Sequence, residues 1–208
     1  MSLIARPGTQ IDQIEAGNHH GVCVAVIDLG TQYNETFNKE QPKVMITWEL
    51  PDFPLLNEHG NPDPDKGFRL ISKEYTVSLH EKASLCIDLI SWRGRAFTPD
   101  EAEAFNLQYV LGANCLVNVV SVQKNGKKYA NVSAVAKLPK GMEPKTATYQ
   151  LLYNMDDGID AIPEGVPDWI ANKIKKSREW IEHVGSASTQ QSYDSPVVSN
   201  PDGEDIPF

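Results

Sequence analysis

Cysteine, long apolar runs and basic residues near the C-terminus are what this chain has least of. Its 208 residues hold three cysteines, Cys23, Cys86 and Cys115, none of them in a Cys-x-x-Cys pair. Such spacing argues against a disulfide framework or a zinc site and points to buried thiols in a reducing compartment. No apolar run approaches the ~18 residues that cross a bilayer. The N-terminus shows no cationic-then-apolar leader, so a soluble cytoplasmic protein without membrane partners is expected.

Chemistry-bearing motifs are also missing. The chain has no glycine-rich phosphate loop, no Ser/His/Asp grouping and no carboxylate-rich metal motif. His19 and His20 are adjacent, with no cysteine or acid cluster beside them. The most enzyme-like set is Asp28, Glu49 and Asp52, the acids a divalent-metal nuclease would need, and they form no recognisable motif. No catalytic residue, no cofactor and no metal is expected.

The formal charge of −9 argues against a nucleic-acid partner until its distribution is read. Residues 1–65 carry 3 basic and 10 acidic groups, and residues 66–140 carry 11 and 6. Residues 141–184 carry 5 and 8, and residues 185–208 carry 0 and 4. Only the middle block, net +5, can follow a phosphate backbone.

An apolar content of 40% supports one folded core with appendages. Five extended segments are predicted, near 22–29, 43–50, 68–78, 113–122 and 128–138. Val44, Ile46 and Trp48 share one face of the second, so Trp48 reads as core. Residues 31–42 and the proline-rich stretch 51–67 read as loops. Between the third and fourth strands, Leu79, Ala83, Cys86, Ile87 and Ile90 fall at helical spacing. Ser78 and Glu81 form a capping box, and Gly94 stops the helix. Thr98-Pro99-Asp100-Glu101 opens a second, short helix that ends near Asn106. Asn125-Gly126 between two β-rich runs predicts a tight hairpin turn. A helix over Trp169–Val184, capped by Asp168 and ended by Gly185, carries Trp169, Ile170, Ile174, Ile181 and Val184 on one stripe.

The chain thus divides into an arm (1–20), a β-barrel domain (21–162), a C-terminal helix (163–185), a polar linker expected to be disordered (186–200) and an acidic tip (201–208). Five strands with a helical insert after the third match the OB-fold plan, a mainly β barrel.

The tip reads Pro201-Asp202-Gly203-Glu204-Asp205-Ile206-Pro207-Phe208. It resembles the terminal peptide of bacterial single-stranded DNA-binding proteins, although Gly203 interrupts the acidic run. The body, over Lys43–Asp52, Lys73–Lys82, Trp92–Pro99 and Leu111–Gly141, is similar to a family of phage-encoded OB-fold single-stranded DNA-binding proteins. The resemblance implies a role in phage DNA replication, recombination or repair inside the infected bacterial cell. It also implies cooperative coating of single strands, with self-association along the DNA. Replication, recombination or repair proteins would dock on Asp202, Glu204, Asp205, Ile206, Pro207 and Phe208. Phe208 suits an apolar pocket with its carboxylate on a basic rim, and Pro207 lowers the ordering cost.

Binding single strands without sequence preference needs cations for phosphates and flat rings for bases. Three clusters offer both: Phe68, Arg69, Lys73 and Tyr75; Trp92, Arg93 and Arg95; and Lys124, Lys127, Lys128 and Tyr129. These are expected to meet in one trough. Each has a second reading, in which Trp92, Tyr75 and Phe68 are core residues and the cations only solvate the surface. An accessory protein that uses the tip without coating DNA, and a recombination mediator or annealing protein, remain alternative functions.

Overall fold

A computed structural model describes residues 14–103, 105–159 and 161–191. Its strands are β1 (Gly17–Asn34), β2 (Lys39–Pro54), β3 (Phe68–Thr76), β4 (Asn114–Lys124), β5 (Lys127–Lys137) and β6 (Leu151–Tyr153). The helices are α1 (Ser84–Arg93), α2 (Pro99–Glu103), α3 (Asp168–Ile174) and α4 (Arg178–Gln191). The strands form one sheet in the order β3-β2-β1-β4-β5, antiparallel throughout, with β6 parallel to β1. The fold is mainly β, and the sheet is not closed by strand pairing between β3 and β5.

Strand β1 is continuously apolar over Val22–Ile27 because both of its faces are covered. Cys23 and Val26 face an inner core with Val44, Ile46, Trp48, Leu85, Leu89 and Trp92. Ala25, Ile27 and Leu29 face an outer layer with Met45, Tyr153, Ile170 and Ile174. Register shifts at Cys23/Ala25 and Asp28/Gly30 mark two irregularities in β1. Around the first, β1 hands its free edge from β4 (partners of 17–22) to β6 (partners of 25–27).

Several local expectations change. The 31–42 loop is mostly strand: β1 and β2 continue to Asn34 and from Lys39, and pair Gln32 with Gln41. Polar side chains on this ribbon hide its strand character. The expected 51–67 loop starts only after Pro54. Helix α1 begins at Ser84, and Ser78 instead accepts from His80 N in a preceding turn. Its buried face is Leu85, Cys86, Asp88, Leu89 and Trp92, leaving Ile87 half-exposed. Gly94 ends it in a left-handed conformation, as expected. Thr98 and Glu101 exchange the reciprocal bonds of a capping box at α2, which runs to Glu103. Asn125 and Gly126 both take positive φ, 52° and 75°, as a type I′ turn requires.

The expected single C-terminal helix is two. Asp168 is the first residue of α3, not its cap, and α4 runs on past Gly185. The break falls at buried Ser177, whose Oγ accepts from Trp180 N at 3.3 Å. Gly30 explains the docking. Its φ is 64°, and a Cβ there would lie 2.6 Å from Ser177 Cβ, so only glycine lets this corner sit on β1. Thr31 then donates through its N and Oγ1 to Glu179. Of the predicted stripe only Ile170 and Ile174 are buried; Trp169, Ile181 and Val184 are exposed. No described helix is long and apolar enough to cross a membrane. Residues 1–13, 192–200 and the tip lie outside the described residues.

One carboxylate ties α1 to β3, and a β3 lysine it holds carries the tie on to β5. Asp88 on α1, buried, accepts from Tyr75 Oη and from Lys73 Nζ, each at 2.7 Å. Lys73, on β3, also donates to Ser133 O of β5 at 3.0 Å. Burial, reinforced by the Asp88 charge, pushes the Tyr75 hydroxyl far above its ordinary range, so it remains a donor. Removing one partner of such a group strands the others. Asp88→Ala should therefore cost roughly 3 kcal/mol in urea unfolding. The triple change Asp88→Leu, Lys73→Met, Tyr75→Phe should recover most of that loss. A cost below about 1 kcal/mol for Asp88→Ala would show that this carboxylate does not hold the strands.

Candidate nucleic-acid interface

Strands β3 and β5 run side by side, held at Lys73 and Ser133 and open nearer their N-terminal ends. The opening is a groove of about 970 Å³. One wall is Lys66, Phe68, Arg69 and Leu70; the other is Lys127, Lys128, Tyr129 and Ala130. Glu49, Thr148 and Tyr149 contribute to its lining between them. The hairpin turn projects the lysines of the second wall, and Tyr129 pairs across the ribbon with Val122.

Four cations and three rings therefore share one concavity. Two acids also line it, Asp65 and Glu49. Glu49 is 1% exposed and its carboxylate is occupied by Thr148, whose N donates at 3.0 Å and whose Oγ1 donates to the other oxygen. That bond, with the two-point contact between the Asn114 side chain and the Lys145 backbone, fixes the path that delivers Tyr149. The Tyr149 hydroxyl is pushed up by burial and then by the Glu49 charge, so it stays protonated at neutral pH. Leu70, Tyr129 and Tyr149 are 46%, 46% and 43% exposed, enough to present apolar faces to a ligand.

Tyr149 is the residue that sequence reasoning missed. Its only local cue is an aromatic ring in the polar run Thr146–Gln150, and its position depends on contacts roughly a hundred residues away in sequence, such as Glu49 with Thr148.

The three predicted clusters do not form one trough. Phe68, Arg69, Lys127, Lys128 and Tyr129 come together, and exposed Lys124, outside the lining, pairs across the turn with Lys127. Trp92 is 6% exposed, donates from Nε1 to Asn114 O at 2.9 Å and packs on Trp48. Tyr75 is 2% exposed. Neither ring has a face to offer a base, because each fills the inner core. Lys73 is committed to Asp88. Arg93 lies 4.3 Å from the Phe97 ring centroid and bonds Glu101, as does Arg95 through both terminal nitrogens. Gly94, between the two arginines, is approached by the Lys137 side chain. Lys137 is ten residues along β5 from Lys127, roughly 30 Å at strand rise.

The remaining candidates have structural work. His20 Nε2 lies 2.6 Å from Asn114 Oδ1, and His19 Nε2 lies 2.7 Å from Glu15 O. Asp28 accepts from Gly30 N and Met155 N. Among the described residues no three His, Cys, Asp or Glu side chains gather as a metal site. Asp202, Glu204, Asp205, Ile206, Pro207 and Phe208 lie outside the described residues.

No protein-family model matches the chain, and no significant match to a curated protein is found.

Hydrogen bonds from Arg95 lead the causes that lower the Glu101 carboxyl from 4.5 to about 2. A carboxyl depressed by folding stabilises above its unfolded value and loses that contribution as pH falls through the folded one. The difference in urea midpoint between the native chain and Glu101→Gln should be full above about pH 4.5 and vanish towards pH 2. Other carboxylates titrate alike in both proteins and cancel. A difference independent of pH over that window would rule out the clamp.

Proposed function

We propose that this protein binds single-stranded DNA without sequence preference, coats and protects it, and carries no catalytic step. The observation that carries the reading is the open β3–β5 groove, where Lys66, Arg69, Lys127 and Lys128 stand with Phe68, Tyr129 and Tyr149. Rings stack on any base, contributing roughly 1–3 kcal/mol each, while cations track the backbone. A duplex presents no free base faces, so this combination favours the single strand.

The finer fold reading proposed is an OB-fold. It is supported by the strand order β3-β2-β1-β4-β5, by the approach of β3 to β5, and by α1 lying between β3 and β4 in sequence. In that plan the curved sheet serves as the binding face and its hairpins as flexible walls. The resemblance of the body to phage-encoded single-stranded DNA-binding proteins supports a role in phage replication, recombination or repair within the host cytoplasm. The tip, resembling the bacterial terminal peptide, supports recruitment of partner proteins by a short acidic handle. A net charge of −9 and a tail without a single basic residue keep that handle off the phosphates.

The test is fluorescence titration with oligo-dT and with matched duplex. Tight, salt-sensitive binding to the single strand alone is expected. Converting Arg69, Lys127 and Lys128 to glutamate should lower the salt slope by about 2, at ~0.7 per lost phosphate contact. Arg95→Ala should leave affinity and slope unchanged, and so should removal of residues 201–208, which should abolish partner pull-down. Unchanged binding in the triple variant would move the site elsewhere. Absence of single-strand binding would favour an accessory protein that works through its tip.

A further inference from the structure

Two residues of the β3–β5 groove, Leu70 and Tyr149, also line a smaller hollow of about 210 Å³. It lies on the outer-layer side of the sheet, where Ala25 and Ile27 reach it. Side chains alternate along β3: Ile71 joins the inner core, while Leu70 and Ser72 line the hollow. Thr47, the partner of Ser72 on β2, lines it too. The Thr47 and Ser72 hydroxyls share a hydrogen bond of 2.8 Å. That bond uses one of their two hydrogens, so the pair keeps one to donate and lone pairs to accept.

Trp169 of α3 contributes a further wall, with Pro167 and Gly165. Ile170 beside it is 2% exposed and anchors α3 in the outer layer. The Gly30–Ser177 corner seats the chain just beyond that helix, so the Trp169 ring is held at the hollow by a packed element. The ring itself is 56% exposed. The other three tryptophans are not: Trp48 and Trp92 are buried and Trp180 is half-buried against the outer layer. Core packing accounts for those three and not for the open surface of Trp169. At about 210 Å³ the hollow is smaller than the roughly 300–1,000 Å³ of drug-sized pockets. It suits one planar group, with its faces against Trp169 and Leu70 and its polar edge at the hydroxyls.

We propose that this hollow takes one base of a bound single strand, stacked on Trp169 with its edge at the Thr47–Ser72 hydroxyls. The strand then passes from the β3–β5 groove across Leu70 and Tyr149 onto α3. This contact rests on the single-strand reading of the groove and adds a named residue to it. Hydroxyls that rotate between donating and accepting meet any base edge, so the contact adds affinity without sequence preference. No lysine or arginine is among the described residues lining the hollow. Its contribution therefore differs in kind from that of the groove: a ring stacks, and no counterion is released.

The experiment titrates an end-labelled oligo-dT with the full chain at several salt concentrations. Anisotropy of the label reports binding without using tryptophan, and tryptophan emission is read in parallel. The native chain should bind with its emission quenched. Trp169→Ala should weaken binding about tenfold at every salt concentration and keep the native salt slope. Trp169→Phe retains a ring and should keep most of the affinity while losing most of the quench. Both variants should unfold at the native urea midpoint, because the ring they replace is largely exposed. Native affinity in Trp169→Ala, or quenching that survives Trp169→Phe, would overturn the contact and leave the groove reading standing. A reduced salt slope in Trp169→Ala would also overturn it, because that pattern belongs to lost phosphate contacts. No anisotropy change with the native chain would overturn the groove reading, and this contact with it.

Discussion

The Asp88 carboxylate is the constraint on which the rest of the structure depends. An antiparallel sheet in the order β3-β2-β1-β4-β5 has two free edges, and free edges invite association with other chains. Here the edges are turned towards each other, and α1 is set against them. Asp88 gives α1 its polar anchor, accepting from Tyr75 and Lys73 on β3, while Lys73 reaches the backbone of β5. Burying an acid is costly unless it is paired, and this one takes two donors. The same tie explains the groove. The seam is closed at Lys73 and Ser133 and left open nearer Phe68 and Lys128.

Charge is organised along the molecule rather than summed over it. Many of the cations are engaged within the fold. Lys73 neutralises Asp88, Arg93 and Arg95 share Glu101, Lys173 pairs with Glu74, and Arg178 with Glu40. Lys66, Arg69, Lys127 and Lys128 line the opening, Lys66 within reach of Asp63. An acidic chain can thus present a groove lined by four cations.

Much of the fold was legible because its signals are local. Alternation placed Val44, Ile46 and Trp48 inside, Asn125-Gly126 located the hairpin turn, and Gly94 and Thr98 marked helix limits. The site was legible only in part. Phe68, Arg69, Lys127, Lys128 and Tyr129 were chosen for their chemistry, and the topology brings them together. Trp92 and Tyr75 carry the same chemistry, and their sequence neighbours are as basic. Burial separates them from the others, and burial is decided by the face of α1 that Asp88 turns inward and by the β2–β3 pairing. Tyr149 was invisible because its place depends on Glu49 and Asn114, far away in sequence. The break at Ser177 was hidden for a similar reason: the glycine that permits it, Gly30, lies on another element.

The proposed function turns on a strand of DNA lying in the β3–β5 opening. Ultraviolet cross-linking of a bromodeoxyuridine-substituted oligonucleotide to the full chain, with peptides identified by mass spectrometry, reads that directly. Adducts on the peptides holding Phe68, Tyr129 and Tyr149 are the predicted result. Adducts confined to exposed rings elsewhere, such as Tyr109 or Phe37, would contradict it.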